Sequence, residues 1–342
     1  MSTVYFLGAG ASKASDFNLP MMKGFFHEEH FSASDYPGLA EYVSRLFPRV
    51  PLRELNLEDV VTHLELSLTG FASLWESPRP EVTLAREEFD KYVTRRLGCV
   101  DRPCSKHVAA FRRLKDVDSI LTLNYDLVAD RSLHAVEGEH SQTRTAKHDS
   151  MFWISRHVLE LDPFKTWDGA VPSVPVKHER GYYLKLHGSL DWLYCPKPPC
   201  VRHQAFFPEA LTPSEGRRDE PGSPCNVCGA GLVPVIIPPA MGKSFERFPK
   251  MGLVWNLAYR KLRAADRWIL IGMSLPACDY YLAWLLRESG LARDHLPAIT
   301  VVNPDRCAAE RAKDVVGVAD VTWVRCLDEF IEAPDSKEAG CA

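Results

Sequence analysis

The sequence predicts an α/β fold, doubly wound around a mostly parallel sheet, with a helical insertion and a small four-cysteine module. Three observations carry this reading. Short apolar, β-rich runs alternate with helical stretches along most of the chain. Nearly every run ends in small or polar residues, as strands do where they open on a crevice. Four of the ten cysteines fall into two close pairs, while the other six are dispersed.

Val4-Tyr-Phe-Leu7 reads as a buried strand that enters a tight loop, Gly8-Ala-Gly10-Ala-Ser12, with a helix expected after Ser12. A mainly helical region follows over residues 20–115. In it Asn56 can cap a helix whose apolar face is Leu57, Val60, Val61, Leu64 and Leu68, and further helical patterns run over 84–97 and 104–115. Its simplest role is to cover the sheet. Ser119 to Leu123 is a second strand, ending at Asn124-Tyr-Asp126. The polar stretch from Glu137 to Ser150 has no periodicity and reads as a loop.

Tyr182 to Leu186 is a third strand, delivering His187-Gly-Ser189, and Val233 to Ile237 is a fourth, before Pro238-Pro239. A helix over 250–265 leads to a fifth strand, Trp268 to Ile271, which runs into Gly272-Met-Ser274-Leu275. A helix from Asp279 to Glu288 and a sixth strand, Ile299 to Val302, then reach Asn303-Pro304. Strands separated by helices imply a parallel, Rossmann-like sheet, so the polar strand ends converge on one crevice. Residues 196–224 read as a loop held by the cysteines. One domain therefore spans 1–332, interrupted around 195–228, and the tail 333–342 is expected to be disordered.

Length and composition bound the function. The chain has 342 residues, 46% of them hydrophobic, enough for a large core. No apolar run approaches the roughly 20 residues a membrane helix needs, and the N-terminus lacks a secretory pattern, so the expected location is the cytoplasm. Net charge is 41 minus 45, or −4, with the basic residues scattered, which gives no direct nucleic-acid signal.

Gly8, Ala9, Gly10 and Ser12 would let backbone N–H groups approach a pyrophosphate, although a glycine-rich strand-to-helix turn also occurs without a ligand. Asn124 and Asp126 either stabilise a turn or orient a ribose hydroxyl or water. His187 is a candidate base, or a buried histidine satisfied by backbone. Gly272 and Ser274 form another small-residue loop where Ser274 could donate to a phosphate; Asp279 reads as a helix cap. Asn303 could bind a ribose or initiate a turn. Cys195, Cys200, Cys225 and Cys228, spaced C-x4-C then C-x2-C, give the four thiolates of a closed, structural zinc site.

In chain order, GAGAS (8–12), TLNYD (122–126), KLHGS (185–189), the four cysteines, GMSL (272–275) and VVN (301–303) resemble the sirtuin superfamily over nearly the whole chain. The resemblance implies NAD in the crevice. It assigns Gly8, Ala9, Gly10 and Ser12 to the cofactor loop, and Asn124 and Asp126 to the nicotinamide–ribose region. His187 becomes the base, with Ser274 and Asn303 at the phosphate and adenosine-ribose contacts and Gly272 in the same loop.

Protein-deacylating sirtuins usually carry Thr-Gln-Asn-Ile-Asp where this chain has Thr122-Leu-Asn-Tyr-Asp126, and Phe-Gly-Glu where it has Ile237-Pro-Pro239. The variants Asn-Tyr-Asp, His-Gly-Ser and Gly-x-Ser-Leu-Pro-x-x-Asp are more similar to sirtuin-like, NAD-hydrolysing proteins of bacterial antiphage systems. The retained cysteines are a deacylase trait. The resemblance thus implies an NAD glycohydrolase, with an NAD-dependent deacylase or ADP-ribosyl transferase as the alternative and a non-catalytic NAD-sensing subunit as another class. It also implies activation by homo-oligomerisation or by a separately encoded partner.

Overall fold

The computed structural model describes residues 1–70, 79–143, 152–154, 181–197, 200, 207–208, 221–237, 248–275 and 279–333. Its centre is β1 (Thr3–Leu7), whose residues are all buried. β1 pairs in parallel with β2 (Ser119–Thr122) on one side and β8 (Arg267–Ile271) on the other. Beyond β2 lie β4 (Gly181–Lys185) and β3 (Phe152–Ile154); beyond β8 lie β9 (Ala298–Val302) and β10 (Thr322–Val324). All six pairings of this seven-stranded sheet are parallel.

Side chains of β1 alternate between faces, as the period of a strand requires. Val4 and Phe6 enter one apolar cluster with residues of α7 (Pro249–Ala264), α8 (Tyr280–Leu291) and α9 (Cys307–Val316). Tyr5 and Leu7 enter another with α5 (Ser105–Phe111), α6 (Val128–Thr143) and α10 (Leu327–Glu332). The sheet is therefore covered on both faces, which is why its strands read as continuous apolar runs.

The chain leaves β1 first toward β2 and later returns to β8 on the opposite side, so the strand order reverses at β1. Crevices for ligands form at such a switch point, outside the carboxyl ends of the strands. Here those ends are Leu7 and Ile271, followed by Gly8 and Gly272.

Three expectations need correction. The run at Val233 joins no strand of the parallel sheet: β7 (Val233–Ile236) pairs antiparallel with β5 (Gly188–Tyr194), which also pairs with β6 (Phe207–Pro208). Pro234 has no N–H to donate and suits this edge position. The stretch after Glu137 is not wholly a loop, because α6 continues to Thr143. Its buried early residues Ala129, Leu133 and Val136 anchor the helix, which polar residues then propagate without a new nucleus. The first helix, α1, spans Ala9–Lys13 and so starts inside the glycine loop, not after Ser12. Residues 144–150, 238–239 and 334–342, where a loop, a Pro-Pro stop and a tail were expected, lie outside the described residues, as does most of 196–224.

The helical region contains α2 (Pro37–Leu46), α3 (Leu57–Glu65) and α4 (Pro80–Leu97) around Phe25, Phe26, Phe31 and Tyr92. Asn56 caps α3, its side chain accepting from the Glu58 N–H at 3.0 Å. The buried Arg86 of α4 donates Nε to Asp90 at 3.1 Å and a terminal nitrogen to the Ile236 carbonyl at 3.3 Å, and it also contacts Glu65. This arginine ties the helical region to β7. Among the described residues no helix is long and apolar enough to cross a membrane.

Candidate active site and thiolate cluster

A cavity of about 270 Å³ opens at the switch point. Gly8, Ala9, Ser12, Asn124, Asp126, His187, Gly272 and Ser274 all line it, so residues from four separate strand ends meet there. Gly10 and Asn303 are absent from that lining.

Close packing of two glycine loops forms the floor. Gly8 donates its N–H to Ile271 and Gly10 to Gly272, each at 2.9 Å, and the Ala11 N–H returns to Gly8 at 2.9 Å. Three donors of the loop are thus engaged within the protein, while Gly8, Ala9 and Ser12 line the cavity. A Cβ on Gly10 would lie 2.7 Å from Gly272 Cα. Glycine at position 10 therefore serves the close approach of the loops.

Asn303 has a similar supporting place. Its Nδ2 donates to the Met273 carbonyl at 2.8 Å and its Oδ1 accepts from the Asp305 N–H at 2.9 Å, bracing the Gly272–Leu275 loop from below. Within that loop Leu275 adopts φ +49, a left-handed conformation uncommon for a side chain of this size.

Asn124 is held by two donations from Nδ2, to the Gly8 carbonyl at 2.9 Å and to Ser12 Oγ at 2.8 Å. With its donors engaged, the amide offers the crevice an acceptor, Oδ1. Asp126 is buried beside it. Burial pushes its carboxyl above the usual range, opposed by the charge of Lys185, the Val128 N–H and the Ser12 hydroxyl. Lys185 Nζ donates to the Asp126 carbonyl and to Asp130 Oδ2, each at 2.7 Å, and Tyr183 adds its hydroxyl to Asp130 at 2.9 Å. A buried ionic network thus underlies the segment that carries Asn124.

His187 sits in the turn between β4 and β5 and is 2% exposed. Its main-chain carbonyl accepts from the Ile237 N–H at 2.9 Å. The ring lies between Tyr125 and Trp255, each with its centroid 6.2 Å away. Both neighbours are themselves fixed, Tyr125 by a 2.8 Å bond to the Ile237 carbonyl and Trp255 by a 2.8 Å bond to the Leu186 carbonyl. Burial raises the Tyr125 phenol well above its ordinary value, so that hydroxyl stays protonated.

The cavity also exposes residues that sequence reasoning assigned elsewhere. Asp279 caps α8, its Oδ1 accepting from the Leu282 N–H at 3.3 Å, while its Oδ2 lies 3.8 Å from His187 Nε2. Glu58, in the first turn of α3, lines the same space, together with Lys23 and an apolar wall that includes Leu19, Phe25 and Leu282. Position after a cap was the only local signal at Glu58. Ser189, by contrast, is fully buried, its hydroxyl contacting Asp191.

The four Sγ atoms of Cys195, Cys200, Cys225 and Cys228 lie within 4.8 Å of one another. Cys195 and Cys228 are 3.4 Å apart at sulfur, and Cys200 and Cys225 are 3.8 Å apart. Four thiolates each about 2.3 Å from a zinc ion require separations of this order, so the donor set fits tetrahedral zinc with no position left for substrate. The Val227 and Cys228 N–H groups lower the Cys225 thiol, whereas burial raises the Cys195 thiol.

No protein-family model matches the chain, and no curated protein matches it in sequence. Solved structures similar to it include a Sir2 homologue–NAD complex, 18% identical with a TM-score of 0.47, over 97% of this chain and 86% of that one. A mutant Sir2 homologue with ADP ribose gives 18% identity and 0.47 over 97% of this chain and 89% of that one. A Sir2–p53 peptide–NAD+ complex gives 14% identity and 0.43 over 96% and 90%.

Proposed function

We propose that the crevice binds NAD and cleaves its nicotinamide–ribose bond, releasing nicotinamide and ADP-ribose. The observation that carries this reading is the convergence of Asn124 and His187 with the Gly8–Ser12 loop in one cavity at the sheet's switch point. The pyrophosphate is taken by the Gly8–Ser12 loop and Ser274, which leaves the nicotinamide ribose beside Asn124 and His187. Nicotinamide is already a cationic leaving group, so the site has to stabilise an oxocarbenium-like ribose and orient a nucleophile. Asn124 Oδ1 is an acceptor for a water or ribose hydroxyl, and the imidazole of His187 accepts the proton as the nucleophile attacks. Asp126 and Glu58 add buried carboxylates to the lining, favourable surroundings for developing positive charge.

In this reading residues 1–332 act as one NAD-binding domain, interrupted by a zinc module at 195–228 that holds shape and takes no part in the chemistry. The likeness of Asn-Tyr-Asp, His-Gly-Ser and Gly-x-Ser-Leu-Pro-x-x-Asp to antiphage proteins supports a role in cytoplasmic bacterial defence. Self-association or a separately encoded partner switches it on. The test is to incubate the purified chain with NAD, with and without an acylated peptide, and to follow nicotinamide, ADP-ribose and acyl-ADP-ribose together. Nicotinamide and ADP-ribose in equal amounts without peptide are the expected products. Peptide-dependent acyl-ADP-ribose would replace hydrolysis by deacylation, and tight NAD binding without turnover would make the chain a sensor.

A further inference from the structure

We infer that Asp279 is a positioning residue for His187, one carboxylate that caps α8 with Oδ1 and orients the imidazole with Oδ2. The inference rests on the proposed role of His187 as base, and its geometry stands independently of it. The two oxygens are used differently: Oδ1 accepts from the Leu282 N–H, and Oδ2 is the atom 3.8 Å from His187 Nε2. Both side chains are buried, His187 at 2% and Asp279 at 3% exposure, so little solvent screens the interaction.

The cap fixes where the carboxylate points. A carboxylate bonded to a first-turn N–H cannot rotate away without uncapping the helix, and the helix N-terminus favours its negative charge. The imidazole is equally restrained, since the Tyr125 and Trp255 rings flank it. At 3.8 Å the pair is within ion-pair range, and a contraction of roughly 1 Å on ligand closure would convert it to a charge-assisted hydrogen bond.

Once within hydrogen-bond distance, the carboxylate would favour the tautomer that carries its proton on Nε2. The proton of the neutral ring then rests on Nε2, and Nδ1 becomes the basic atom. Protonation of Nδ1 creates an imidazolium whose charge Asp279 stabilises, as a base needs when it takes a proton inside a buried site. Among the described residues, the other ionisable groups of this cavity and of its wall are Tyr125 and Asp126 after β2, Glu58 at the start of α3, Lys23, and Tyr281 in α8 against Trp255. Among the described residues, Asp279 is the carboxylate at ion-pair distance.

Asp279→Asn separates the two roles, because asparagine caps helices as well as aspartate does but carries no charge. The experiment compares wild type, Asp279→Asn and Asp279→Ala as full chains, by thermal midpoint, NAD turnover against pH, and NMR titration of the His187 ring. Asp279→Asn should keep the thermal midpoint and KM near wild type. It should shift the His187 midpoint and the acidic limb of kcat to lower pH, and lower the plateau kcat roughly 10- to 100-fold, the usual weight of a partner that orients a functional histidine. A folded Asp279→Asn with unchanged His187 titration overturns the inference, even if Asp279→Ala unfolds, since Asp279 would then be a cap and nothing more. If the wild type turns over no NAD, the functional reading fails on its own, and the titration still decides the pair.

Discussion

Gly272 accepts the Gly10 N–H at 2.9 Å, and the two residues are so close that a Cβ on Gly272 would lie 2.0 Å from the Ala11 nitrogen and 2.7 Å from Gly10 Cα. The loops after β1 and β8 therefore meet glycine to glycine. With φ at +65, Gly272 also occupies a conformation that a side chain would strain.

Gly272→Ala should accordingly destabilise the fold by roughly 3 kcal/mol or more, adding backbone strain to overpacking. Denaturant unfolding measures the loss. A change of under about 0.5 kcal/mol would mean that the loops separate easily.

Asn124→Ala should lower NAD turnover on the order of 10² to 10⁴-fold with the fold retained, and His187→Ala should do the same. Asn124→Asp is the sharper variant, because it replaces the amide donor with an acceptor aimed at the Gly8 carbonyl. Its turnover should fall at least as far as that of the alanine variant. Near-wild-type release of nicotinamide by all three would remove both residues from the chemistry.

Purified protein should contain about one zinc per chain, measured by elemental mass spectrometry. Replacing Cys225 by Ser should abolish it and lower the thermal midpoint by roughly 5 °C or more, since binding of a structural metal is folding free energy. Metal content unaffected by that substitution would place the ion elsewhere.

His107 governs part of the acid stability. Burial lowers its imidazole from 6.5 to about 4 in the folded chain. The unfolded state therefore binds the proton first, and the contribution is complete above pH 6.5 and lost as pH falls toward 4. That window corresponds to about 3 kcal/mol. Urea unfolding at pH 7 and pH 5 should show wild type losing stability that His107→Gln keeps; parallel losses would assign the effect to other groups.

The sheet was largely legible because buried parallel strands are continuous apolar runs, and the strand ends advertised the crevice through small and polar residues. Legibility stopped where local signals had complete local explanations. Asp279 looked like a helix cap and is one, so nothing nearby in sequence indicated that its second oxygen faces His187. Glu58 was hidden in the same way behind the Asn56 cap. Asn303 carried two readings, a ribose contact or a turn, and its amide braces the Met273 carbonyl. β7 misled because an apolar run does not state which sheet it joins.

The placement of β1 between β2 and β8 has a consequence for synthesis. β1 is made well before its second neighbour, which begins at Arg267, and Gly272, Ser274 and Asp279 come later still. At roughly 5–20 residues per second, the crevice lacks a wall while the intervening chain is made. Under the proposed function, a nascent chain would turn over no NAD until that wall is in place.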